Sequence, residues 1–170
     1  MTLDQLNRLD DEAARAALER CCGARRWVER VSGARPFGDR EALLAAAARA
    51  FAGLERADWL EAFAHHPKIG DRASLRAKYA STAAWAGEEQ RGASAAGEAT
   101  LEALAEGNRA YEERFGYIFI VCATGKSAEE MLALLSARLP NPPERELRIA
   151  GEEQMKITNL RLAKLLESAG

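Results

Sequence analysis

An all-α fold is what this sequence predicts, and three observations carry the prediction. Alanine, the best helix former, is abundant. Prolines and many of the glycines fall at the boundaries of segments, where they stop helices. Leu101, Leu104, Asn108, Tyr111 and Phe115 recur at helical spacing and form one face.

Each element follows from local signals. The segment Asp10 to Cys22 has Asp10 as N-cap and Gly23 as stop. Arg25 to Ser32 reads as a short helix before Gly33 and Pro36. Asp39 to Ala52 is capped by Asp39 and closed by Gly53, and Arg56 to Ala64 ends before His65-His66-Pro67. Between Gly70 and Ala96 the apolar period weakens, which predicts short helical turns in a long excursion, and such excursions are often functional. Glu98 to Phe115 is a strong helix, stopped by Gly116. The run from Tyr117 to Ala123 is continuously apolar and fits either a buried strand or a buried helix end. Ser127 caps a helix to Arg138, with Glu129 and Glu130 in its first turn. After Pro140 and Pro142, a last helix runs from Pro143 to Glu167. No repeat, linker or low-complexity tract divides the chain, so residues 1–170 read as one helical-bundle domain.

Composition excludes several function classes. The 170 residues are 48% hydrophobic and 29% charged, which rules out disorder and fibrous repeats. A chain of this length buries enough surface to hold a core without disulfides. Twenty-four basic against 26 acidic residues give a charge of −2, which argues against a nucleic-acid partner and gives no reason to expect an anionic membrane. Cys21, Cys22 and Cys122 make a poor disulfide framework and suit a reducing cytoplasm. The first residues lack a signal-peptide pattern, no stretch is long and apolar enough to span a bilayer, and the terminal ESAG is no peroxisomal address.

Candidate chemistry rests on few side chains. His65 and His66 are the only histidines, and neighbours lack the i,i+4 spacing that two metal ligands on one helix face need, so no metal site is expected. Pro67 forces His66 out of helical geometry at the end of its helix. His66 is then either a titratable ring at work near neutral pH or an exposed helix stop. Glu89 and Gln90 lie in the irregular segment. Nothing local selects Glu89 over Glu88, and a wet acidic turn is the plainer reading. Arg161 shares an otherwise apolar helix row with Ile157 and Leu165, as a snorkelling side chain or as a bidentate anchor for a carboxylate. Asn108 and Tyr111 read as core polar groups, and Cys122 as a packed thiol. Thr124-Gly125-Lys126 lacks the upstream glycine of a phosphate loop.

Taken in order, several segments resemble one family. They are His66-Pro67-Lys68-Ile69-Gly70, Glu89-Gln90, Asn108 through Tyr111 to Phe115-Gly116, Phe119 to Ala123, and Lys156-Ile157-Thr158-Asn159-Leu160-Arg161-Leu162. Together they resemble 2-oxo-4-hydroxy-4-carboxy-5-ureidoimidazoline (OHCU) decarboxylase over nearly the whole chain. The resemblance implies an all-α, cofactor-free homodimer that forms (S)-allantoin and carbon dioxide in urate breakdown. It implies His66, Glu89 and Arg161 as catalytic residues. Pro67, Gln90, Phe119, Val121, Cys122, Ala123, Thr124 and Gly125 would contact substrate. Where the family often has serine, three positions before the glutamate, this chain has Ala86, so a hydroxyl contact to substrate is lost or replaced. A helical binding module, or a regulator that holds a ureide without turning it over, is the competing class.

Overall fold

The computed structural model describes residues 1–68, 71–80 and 89–167, with the side chains of 72, 78, 80 and 89–96 excepted. Every regular element among them is a helix. The chain packs as two compact units.

The first unit comprises Met1–His66, Ile120–Cys122 and Leu147–Gly170. It holds α1 (Leu3–Arg8), α2 (Asp11–Glu19), α3 (Arg25–Gly33), α4 (Arg40–Ala52) and α5 (Arg56–Ala64). The sequence reading missed α1, although Thr2 and Gln5 carry its signature. They form a capping box in which each side chain accepts from the other residue's backbone N–H, at 3.0 and 2.8 Å. Asp10 and Asp39 cap α2 and α4 as expected, each accepting a backbone N–H at 2.8 Å.

α2 stops at Glu19, short of the expected Cys22. The N–H groups of Cys21 and Cys22 both turn back to the Leu18 carbonyl, which swings the two cysteines into the core. Gly23 follows because a side chain there would collide with the His65 ring, its Cβ lying 2.2 Å from His65 Cγ. The core gathers Leu6, Leu18, Trp27, Val31 and Leu43, all fully buried. Trp27, Phe51, Trp59 and Phe63 stack in sequence with ring centroids 5.4, 5.5 and 6.3 Å apart. Each large apolar side chain so buried contributes about 1.5–3 kcal/mol. The Trp27 indole N–H donates to the Ala47 carbonyl at 3.2 Å, so the polar edge of this buried ring is satisfied.

The second unit comprises Pro67–Phe119 and Ala123–Glu146. It contains α6 (Arg72–Ala80), α7 (Glu89–Phe115) and α8 (Ala128–Arg138). α7 begins nine residues before the expected Glu98, and α6 occupies Arg72–Ala80, so regular helix replaces the expected excursion over both stretches; residues 81–88 lie outside the described set. Its predicted face is correct: Leu101, Leu104, Tyr111 and Phe115 are buried. Gly107 lets α8 approach, since a Cβ there would lie 2.5 Å from Leu135 Cδ2. Gly116, at φ +83°, ends α7 in a conformation that favours glycine. Ser127 caps α8 by accepting the Glu130 N–H at 3.2 Å.

The last helix, α9 (Pro143–Glu167), matches its expected bounds. Its first turn packs in the second unit and the rest in the first. Gly151 faces the Trp59 ring, where a Cβ would stand at 3.5 Å.

The apolar run after Gly116 is neither strand nor helix. Among the described residues no strand lies beside this segment to take its backbone bonds. A side chain does so instead: the Cys122 N–H donates to Glu153 Oε1 at 3.1 Å.

Candidate active site

His66 stands where α5 ends. The His66 N–H still bonds the Phe63 carbonyl at 3.2 Å, and Pro67 prevents another turn. The ring is half-buried, and its Nε2 lies 2.5 Å from Gln154 Oε1 on α9. Gln154 Nε2 donates to Thr158 Oγ1 at 3.1 Å, one helical turn on, and Thr158 Oγ1 donates to the Cys21 carbonyl at 3.1 Å. Gln154 and Thr158 are both completely buried.

Burial pushes the His66 pKa below its ordinary 6.5, and the Arg161 and His65 charges push it the same way; the Gln154 hydrogen bond opposes them. The ring is therefore neutral at pH 7. Arg161 is half-buried on α9, between Ile157 and Leu165 as expected. Among the described residues no carboxylate pairs with it. Burial also raises the Cys21 and Cys22 thiols to about 11, against the pull of Arg161, so both are uncharged near neutrality.

The backbone of Val121 and Cys122 belongs to the same unit and is held through Glu153. Glu153 is itself tied to Lys156, whose Nζ lies 2.6 Å from Oε2. Thus α9 supplies Glu153, Gln154, Thr158 and Arg161 within three turns.

Pro67, Phe119, Ala123, Thr124 and Gly125 fall in the second unit. Phe119 is packed edge-on to Tyr111, with centroids 5.2 Å apart, and Arg138 Cζ lies 4.5 Å over its ring. Gly125 adopts φ +75°, so the Thr124-Gly125 turn needs its glycine. Glu89 and Gln90 open α7, but their side chains lie outside the described residues, as does Ala86 altogether. The structure thus brings His66, Arg161, Val121 and Cys122 into one unit.

Sequence reading passed over Gln154, Thr158 and Glu153. The available signal was spacing: Gln154, Thr158 and Arg161 fall at i, i+4 and i+7, on one face of a helix. Among the described residues, no group of three or more His, Cys, Asp or Glu side chains is arranged to hold a metal ion.

The OHCU decarboxylase family model matches residues 7–163. The chain belongs to the OHCU decarboxylase family. The uric acid degradation bifunctional protein TTL of Arabidopsis thaliana is 39% identical over 145 residues, which is 85% of this chain. The match spans only 45% of that longer protein. The 2-oxo-4-hydroxy-4-carboxy-5-ureidoimidazoline decarboxylase of Haloferax volcanii is 31% identical over 99% of this chain and 98% of its own length. Among solved structures, an OHCU decarboxylase crystallised in the presence of (S)-allantoin superposes with a TM-score of 0.70 at 36% identity, covering 94% of this chain and 99% of that one. An (S)-allantoin synthase at 19% identity and TM-score 0.69 shares the fold, covering 98% of this chain and 54% of that one.

Proposed function

We propose that this OHCU decarboxylase family member converts OHCU to (S)-allantoin and carbon dioxide without a cofactor, in urate breakdown. The observation that carries the reading is the family match over residues 7–163, which contains every side chain given a role. The neutral, half-buried His66 beside the field of Arg161 suits the chemistry required.

Decarboxylation leaves an electron pair on carbon, and the substrate ring can hold it. As the carboxylate C–C bond breaks, the pair passes into the adjacent ring C=N, whose nitrogen takes a proton from solvent. The resulting enol becomes product when its O–H proton leaves and a proton reaches one face of the ureido-bearing carbon. His66 is the group that handles these protons. Arg161 offsets negative charge as it develops. A grip on the ground-state carboxylate would instead slow its loss. Glu89 orients His66 or hydrogen-bonds the ureido group, and Gln90 meets the amide edges of the ring. Pro67, Phe119 and the backbone from Val121 through Cys122, Ala123 and Thr124 to Gly125 line the substrate. Residues 1–170 act as one domain, in a cytoplasmic homodimer; light scattering at twice the 18.5 kDa chain mass is the expected result.

The test is circular dichroism of a coupled reaction. Urate oxidase and hydroxyisourate hydrolase supply fresh OHCU, and the (S)-allantoin signal is followed with and without this protein. Rapid growth of the signal is expected. His66→Ala should lower turnover by about 10²- to 10⁴-fold. A folded protein that produces no stereoselective signal favours the ureide-binding reading.

A further inference from the structure

Adjacent histidines here are wired in opposite senses. A carbonyl oxygen can only accept a hydrogen bond. The Cys21 carbonyl therefore takes the one proton that the Thr158 hydroxyl has to give. The Thr158 oxygen is left to accept, and it accepts from the Gln154 amide NH₂. That turns the Gln154 amide oxygen toward His66, so the ring nitrogen 2.5 Å away, Nε2, must carry a proton. His65 has the reverse arrangement. Its Nδ1 lies 3.0 Å from the Glu61 carbonyl and must carry a proton, while its Nε2 faces the Glu19 carboxylate at 3.6 Å, beyond hydrogen-bond distance.

From this chain of donors we propose that Gln154 and Thr158 are positioning residues that fix neutral His66 as its Nε2–H tautomer, making Nδ1 the nitrogen that exchanges protons with substrate. The proposal rests on the decarboxylase reading and adds to it the identity of the reacting atom. The Nδ1 lone pair forms the new N–H bond as it takes the enol proton. The released O–H pair becomes the second bond of the product carbonyl. The former C=C pair takes the proton back from Nδ1 at the ureido-bearing carbon, and the ring returns to its starting tautomer. Since the anchor is a backbone carbonyl, the tautomer needs no neighbouring charge to select it. The arrangement also places the whole relay on the side of the ring away from the reacting nitrogen.

The measurement is two-dimensional ¹⁵N–¹H NMR of the imidazole rings in the full chain above pH 7, with His65→Asn assigning the two side chains. Wild type should show His66 protonated at Nε2 and His65 at Nδ1. Thr158→Val removes the hydroxyl and frees the amide to flip, and Gln154→Leu removes the acceptor. Each should let a second His66 tautomer appear. In each, kcat should fall about 10- to 100-fold while KM changes little, on the scale seen for groups that orient histidine ligands. Thr158→Ser, which keeps the hydroxyl, should restore both the NMR pattern and kcat. Gln154→Glu places a carboxylate against Nε2, beside the charges of Arg161 and His65 and the neutral thiols of Cys21 and Cys22. It should move the acidic limb of the rate profile to higher pH. A wild-type His66 protonated at Nδ1 overturns the proposal, as does an unchanged tautomer and kcat in folded Thr158→Val. If Gln154→Leu fails to fold, wild type and the two Thr158 variants decide the matter. A protein with the expected tautomers that forms no (S)-allantoin overturns the decarboxylase reading alone; an active protein with the other tautomer overturns this proposal alone.

Discussion

His66 accepts a proton only while its ring is neutral, and burial together with the Arg161 charge keeps it so below its ordinary range. The folded pKa is thus lower than the unfolded 6.5, and between the two values the unfolded chain binds a proton that the folded chain does not. Stability therefore rises with pH across that window. The contribution is complete above pH 6.5 and is lost as pH falls through the folded value. The acidic limb of kcat/KM should lie below pH 6.5, with denaturation midpoints falling over the same range. An acidic limb above that point would mean that another group governs the rate. Arg161 acts by the fork of its guanidinium, which a point charge does not reproduce. Arg161→Lys should cut kcat about tenfold or more, the scale of one lost charge-stabilising hydrogen bond. An unchanged kcat and KM would make Arg161 a snorkelling side chain. Neither effect was legible from residue type alone, because His66 and Arg161 each had a bland surface reading until their burial was known.

At the scale of the element, α9 is the organising piece. One row carries Gln154, Thr158 and Arg161, while Glu153 reaches sideways to the Cys122 N–H. Gly151 lies one turn earlier, against Trp59. The added Cβ of Gly151→Ala would stand at ordinary contact distance from the indole, so helix propensity decides its effect. Chemical denaturation should show Gly151→Ala more stable by up to about 1 kcal/mol. Gly151→Leu should be destabilised by about 1–3 kcal/mol through overpacking on the ring. The bounds of α9 and α5 were legible because proline and cap signals punctuate them. The stop of α2 was not, since Cys21 and Cys22 leave the helix for tertiary reasons: the Cys21 carbonyl is needed by Thr158, and Gly23 must clear His65.

At the scale of the molecule, each unit has its own centre. The first has the aromatic stack around Trp27 and Phe51; the second has an ionic one. There Glu146, completely buried, accepts from Arg138 Nε at 2.9 Å, Arg138 Nη2 at 2.5 Å and Asn141 at 3.1 Å, and also from the Tyr111 hydroxyl. Burial and this bond hold the Tyr111 phenol far above its ordinary range. Removing one partner leaves a buried charge uncompensated. Arg138→Met should therefore cost about 3–5 kcal/mol in unfolding experiments, unlike the near-neutral loss expected at the exposed Arg109–Glu106 pair. A cost below 1 kcal/mol would show that water reaches the cluster.

The sequence by itself determined the all-α class, most helix bounds and an ordered set of segments specific enough to name a family. These are properties of periodicity, capping and residue order, and they are local. Only the tertiary structure decided that the apolar run after Gly116 forms no regular element, that Tyr111, Arg138 and Glu146 share one buried network, and that Gln154 and Thr158 stand behind His66. Those outcomes depend on which donor meets which acceptor across 88 or 137 positions of chain, and a spacing rule does not reach that far.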